Sequence, residues 1–189
     1  ETYELKIYNG ISNTEEGLKA RYSNVTLNPI IIDTKSEVRS VNLMEELDLT
    51  NSNIGSTKII INNYQLTNKY VYNYESCYNN DCTSLTDFVA VDYFSSGQGS
   101  TLLVMDYNLD LDISSSYSSY IKNENAFFNN FISVEYKIND MTYNSKVINK
   151  TPRNVNNTLV LQVDNDIKSA EEINVLFTIR NKIYTIKLK

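Results

Sequence analysis

Histidine is missing from all 189 residues, and so is tryptophan. Without histidine there is no Ser-His-Asp or Cys-His catalysis, no His-ligated zinc and no ordinary general base near neutral pH. Without tryptophan the usual aromatic platform for sugars is gone. Glycine (5) and proline (2) are too few for a collagen-like or linker-like chain. Only two cysteines are present, fewer than a zinc site needs. Apolar runs such as Pro29-Ile30-Ile31-Ile32 reach only four residues, far too short to span a bilayer as a helix. The 17 basic residues are scattered and outnumbered by 23 acidic ones, giving a net charge of −6 and no footprint for nucleic acid or an anionic membrane. No Walker loop or dinucleotide fingerprint occurs. The one Gly-rich spot, Ser95-Ser96-Gly97-Gln98-Gly99-Ser100, lacks the lysine and the following helix, and reads as a turn between strands. No cofactor is implied.

What is abundant points to strands. Asn is the commonest residue, Ile and Tyr are plentiful at 19 and 15, and Ala, the best helix former, is nearly absent. An AT-rich genome supplies the same residues, so the order along the chain carries more weight than the counts. Apolar residues recur at every second position, as in half-buried strands. Leu103, Met105, Tyr107, Leu109, Leu111 and Ile113 alternate with Asp106, Asn108, Asp110 and Asp112. Residues 133–138 and 142–148 flank Asn139-Asp140, and residues 173–180 and 183–188 flank Asn181-Lys182; both pairs read as hairpins. Two short helical turns are expected, one within Tyr117–Phe131 and one over Asp166–Glu172 with Asp166 as its cap. Strand-like segments a few residues apart, joined by Asn, Asp, Ser and Gly, make the fold class all-β, a sandwich or barrel, with one or two short helical turns. The polar stretch Thr50–Ser56 divides a segment of residues 1–55 from a sandwich of residues 56–189. A chain of this length can bury roughly 70% of its unfolded surface, enough for a core without staples. No internal repeat is evident.

Few residues carry chemistry. Ser119-Tyr120-Ile121-Lys122 matches Ser-x-x-Lys, but one such match is expected by chance in a chain this rich in Ser and Lys, and its companion motifs are absent. The Asp106/Asn108/Asp110/Asp112 series echoes a calcium loop. On a strand, however, alternate residues lie about 6.6 Å apart, and the glycine that turns such loops is missing. A solvated acidic face is the expectation, with no metal site. Cys77 and Cys82 bracket the polar tip Tyr78-Asn79-Asn80-Asp81, and a disulfide across it is expected, with two reduced thiols as the alternative. So small a loop would contribute about 2–3 kcal/mol at best, so the bond matters as a marker of an oxidising compartment. The unreduced protein is expected to weigh two hydrogens less than the reduced protein by mass spectrometry. Free thiols in material purified under oxidising conditions would remove the argument for export.

Tyr70, Tyr72 and Tyr74 share one face of Lys69–Glu75, with Tyr78 just beyond. The stripe either lines the core, with Tyr72 at its centre, or forms an aromatic surface; Tyr70, Tyr74 and Tyr78 are the candidate binding residues.

Residues 59–66, 102–107 and 170–177 resemble a first strand, a long central strand and the final hairpin of the telokin-like, immunoglobulin-type domains of unknown function in secreted and lipid-anchored proteins of Gram-positive bacteria. The segment Ser114–Asn130 and the Cys77–Cys82 tip depart from that pattern. The resemblance implies an immunoglobulin-like β-sandwich with an additional N-terminal β-rich segment, together with a cell-surface location, and supplies no functional residues. The expected function is therefore a non-catalytic extracellular binding or structural module, with a protein or glycan partner. A carboxylate-only glycan-acting enzyme or a carbohydrate-binding domain is the alternative. The chain begins Glu1-Thr2-Tyr3 without methionine, and an export signal or anchor upstream is expected to be its only link to a membrane.

Overall fold

The computed structural model describes residues 36–50, 55–75, 89–112, 121, 123–152 and 155–189. The chain divides into two compact units, Glu1–Asp33 and Thr34–Lys189, and every described residue belongs to the second. Its strands are β1 (Ser36–Asn42), β2 (Leu47–Asp48), β3 (Lys58–Thr67), β4 (Lys69–Glu75), β5 (Val89–Ser95), β6 (Ser100–Asp110), β7 (Ile132–Ile138), β8 (Met141–Ser145), β9 (Ile148–Asn149), β10 (Thr158–Asp164), β11 (Glu172–Ile179) and β12 (Lys182–Lys187). Among the described residues one α-helix, α1 (Glu124–Phe131), precedes β7, and a 3₁₀ turn covers Asn165–Ser169.

The strands make two five-stranded sheets, ordered β1-β12-β11-β7-β8 and β2-β3-β6-β10-β9, and a separate two-stranded hairpin, β4-β5. Alternate residues of both sheets pool into one core: Ile59, Ile61, Leu103, Met105, Leu159 and Leu161 from one, and Val134, Ile173, Val175, Phe177 and Ile186 from the other. This is a β-sandwich. Its strand order is that of the immunoglobulin type, with β3-β6-β10-β9 in the A-B-E-D positions and β12-β11-β7-β8 in G-F-C-C′. The β4-β5 hairpin is inserted between the A and B strands. β1 runs parallel to β12, while the other pairings are antiparallel. Residues 36–48, which the sequence groups with the 1–55 segment, thus pair within these two sheets. The polar stretch drawn as a boundary joins β2 to β3, which are hydrogen-bonded neighbours.

Turn chemistry fixes the register. Asn139 and Asp140 have φ of 50° and 63°, so they close β7-β8 as a two-residue turn of the kind whose twist suits a hairpin. The β11-β12 turn lies one residue earlier than the sequence suggests, at Arg180-Asn181, with Arg180 at φ 57°. The expected helical turns both occur, but their boundaries differ. α1 starts only at Glu124, because Asn123 Oδ1 accepts the Ala126 N–H at 2.9 Å and caps it. The residue capping the 3₁₀ turn is Asp164, not Asp166, and its side chain makes no capping bond.

α1 closes one end of the core. Phe127 and Phe128 are buried, and Phe127 stacks on Phe177 of β11 at 5.8 Å. The Tyr107 hydroxyl donates to Glu124 Oε2 at 2.5 Å, while its ring meets Phe128 edge-on at 4.9 Å. Burial first, and then the bond to this carboxylate, push the Tyr107 phenol well above its ordinary range.

Candidate functional site

β6 is the strand on which the candidate site rests. Thr101 through Met105 are all buried, so this stretch is covered on both faces although only one face meets the core. Leu103 and Met105 point into the sandwich. Leu102 and Val104, with Val160 of β10, form a second small cluster on the outer face. The β4-β5 hairpin covers it, through Tyr70 and Phe94.

The hairpin is held at its base by polar contacts. Ser96 N–H donates to Asn68 O at 2.9 Å, Thr101 Oγ1 donates to Thr67 O at 3.0 Å, and Lys168 Nζ reaches Asn68 Oδ1 at 2.6 Å. Ser96-Gly97-Gln98-Gly99 turns the chain from β5 into β6, as its composition indicates, with Gly99 at φ 72° where an L side chain would be strained. Above the base the two strands run in unbroken register from Lys69 opposite Ser95 to Glu75 opposite Val89.

One face of the hairpin carries a row of stacked rings: Tyr70 to Tyr72 at 6.1 Å, and Tyr72 to Phe94 at 5.4 Å. Tyr70 is half-buried, and burial pushes its phenol up, opposed by a hydrogen bond with Thr158. Tyr72, the middle of the stripe, lies between the core and surface readings and is half-buried; its hydroxyl donates to Asp92 Oδ2 at 3.2 Å. The reason is geometric, since the hairpin is not part of either large sheet and its cover over β6 is centred on Tyr70 and Phe94.

The opposite face of the hairpin holds the residues that the sequence did not single out. Val71 and Tyr93 sit directly across from each other and are 53% and 55% exposed. Lys69 Nζ stands 4.2 Å over the Tyr93 ring, a cation–π contact. The signal was available in Val91-Asp92-Tyr93-Phe94, where alternation sends Tyr93 the opposite way from Phe94. Tyr74 lies in β4 opposite Ala90. Tyr78, Cys77, Cys82, Ser119 and Lys122 lie outside the described residues.

The acidic series sits as its period dictates. Asp106, Asn108 and Asp110 are exposed on the outer face of β6, with Tyr107 buried between the first two. Asp106 Oδ1 accepts from Thr158 Oγ1 at 3.3 Å. Among the described residues no three His, Cys, Asp or Glu side chains cluster in a way that could hold a metal ion. Nor, among those residues, is any helix long and apolar enough to cross a membrane. At the far end of the same outer face, a shallow depression is lined by Glu46, Lys58, Ile60, Asn108, Leu109 and Asp110. Lys58 Nζ occupies it with an ion pair to Glu46 Oε1 at 2.9 Å, and this bond raises the lysine above its ordinary range.

No known protein family matches the sequence, and no curated protein does. A solved structure that it does resemble is an uncharacterized β-sandwich protein from Clostridium difficile 630. The two are 14% identical, with a TM-score of 0.43 over 80% of this chain and 94% of that one.

Proposed function

We propose that this chain is a non-catalytic binding or structural module working outside the cell, and that it meets a protein or glycan partner through the β4-β5 hairpin. The observation that carries this is the outward face of the hairpin. A valine and a tyrosine, each more than half exposed, stand side by side with a lysine over the ring, on an arm whose other face is anchored to β6. Exposed aromatics beside a cation are the surface that both protein and sugar partners use. The extracellular part rests on the Cys77/Cys82 spacing and on the telokin-like resemblance. The absence of histidine supports the non-catalytic part.

The test pairs stability with binding. Val71→Ser and Tyr93→Ser together are expected to shift unfolding by under about 0.5 kcal/mol each, as surface changes do. The same double variant should lose most of its binding to intact cells, cell-wall polysaccharide or an arrayed glycan panel, whichever the wild type recognises. Binding retained in full would refute the hairpin as the contact surface. Release of reducing sugar from any of these glycans would refute the non-catalytic reading and favour the carboxylate enzyme.

A further inference from the structure

Among the described residues the two sheets have four edges, and three of them are protected against further pairing. β2 and β9 are two residues long, and beyond β2 the edge is β3 itself, whose register is broken between Ile61 and Asn63. β1 carries Glu37 and Arg39, with a break in register between them. Short strands, charge and bulges are the usual means by which an edge refuses a partner. β8 has none of them. It is five residues long, Met141-Thr142-Tyr143-Asn144-Ser145, it is uncharged, and its pairing with β7 is unbroken. Met141 through Asn144 are exposed, Met141 and Tyr143 among them as large apolar side chains.

We propose that β8 is a self-association edge through which two copies of this chain pair antiparallel, centred on Tyr143, to make one continuous sheet. The backbone is set up for it. Because the β7-β8 turn holds two residues, Ile138 and Met141 form its closing hydrogen-bonded pair, and bonded pairs then alternate along the hairpin. Met141, Tyr143 and Ser145 therefore direct their N–H and C=O groups to β7. Thr142 and Asn144 direct theirs to the empty side. An antiparallel copy centred on Tyr143 puts Thr142 opposite Asn144 and Asn144 opposite Thr142, so both free pairs bond at once and both copies are used identically. This is the self-complementarity that a twofold interface requires.

The side chains agree with that register. Tyr143 meets its own copy in a non-bonded pair, where the Cα atoms approach to about 4.5 Å and side chains pack closely. Its ring already stacks on Tyr136 at 5.5 Å and 20°, so the two copies would join their tyrosine pairs into a row of four. Asp140 and Lys146 flank β8 at equal distances from Tyr143, one on each side. Pairing therefore sets Asp140 of each copy against Lys146 of the other, two opposite-charge contacts at the two ends. A second copy is thus the occupant whose charges, hydrogen bonds and rings all match. The inference is independent of the hairpin, which lies on the other sheet.

Sedimentation velocity and light scattering from low-micromolar to near-millimolar concentration test it. Wild type should pass from monomer to dimer across that range, with weaker association as salt rises. Thr142→Pro removes an N–H that faces solvent in the monomer, so it should abolish the dimer and leave the melting temperature unchanged. Lys146→Asp sets like charges together at both ends and should weaken association about tenfold or more. Asp140→Lys combined with Lys146→Asp exchanges the charges and should restore it. A wild type that stays monomeric throughout overturns the proposal. So does a dimer that survives both Thr142→Pro and Lys146→Asp, or one lost in Lys146→Asp that the charge exchange fails to restore.

Discussion

Phe127→Ala is expected to cost about 3–5 kcal/mol, a large share of the total stability of a domain of this kind. The ring is fully buried and meets Phe128 edge-on at 5.4 Å, Phe131 at 5.5 Å and Phe177 at 5.8 Å. Removing it takes away the transfer free energy of a large side chain and leaves a cavity among rings held by two different elements, so collapse around the gap is poor. The helix adds to the loss. At eight residues α1 is too short to persist alone in water, and what holds it is the face that Phe127 and Phe128 present to the core. Urea unfolding followed by far-ultraviolet circular dichroism measures the effect as a lower midpoint. A cost under about 1 kcal/mol would mean that α1 does not pack on β11 as described.

Leu102→Ala and Leu103→Ala are expected to cost about 2–5 kcal/mol each, although the two side chains point to opposite faces of β6. Both are fully buried. For Leu103 this follows from its place in the main core. For Leu102 it depends on the β4-β5 hairpin lying against the outer face, since nothing of the sandwich interior reaches that side. The comparison is therefore a direct measure of docking. If the hairpin stood away from the sheet, Leu102 would face solvent and its truncation would cost under about 0.5 kcal/mol while Leu103→Ala remained severe. Equal losses, by urea denaturation of both variants, would establish that the arm carrying Val71 and Tyr93 is held in place.

The same strand shows how far the sequence could be read. Alternation from Leu103 to Leu109 gives the inward face of β6 correctly, and the Asn139-Asp140 turn gives β7-β8, because both are local signals. The all-β class follows from such signals repeated along the chain, but they leave sandwich and barrel both open, because strand order is set by contacts between distant segments. The outer cover was also written in the sequence, as Thr101-Leu102-Leu103-Val104-Met105, a run with no polar alternate and so with no solvent face. What covers it could not be read, since that depends on the preceding hairpin folding back to lay Tyr70 and Phe94 over the strand. The candidate site shifted for the same reason. Same-face spacing identifies Tyr70 and Tyr72 as companions, but only the position of β6 decides which face of β4 is free, and the free face belongs to Val71. Thr50–Ser56 was misleading because a polar connection between two hydrogen-bonded strands has the composition of a linker. The pairing of residues 36–42 with residues 182–187 left no local trace at all, being a contact between the two ends of the described unit.

That parallel pairing governs when the fold can be completed. β1 is near the start of the described chain and β12 is at its end, so the first cannot find its partner until almost all the rest has been synthesised and ordered. Contacts of such long sequence separation require closure of a loop the length of the domain before they return any energy, and they are made late and slowly. During synthesis β1 therefore waits without its partner, a window in which it is exposed to pairing with another chain. In the finished protein the order is reversed. β1 is bonded along one side only and broken in register near Glu37, so its amides should exchange with solvent well ahead of those of β11 at the centre.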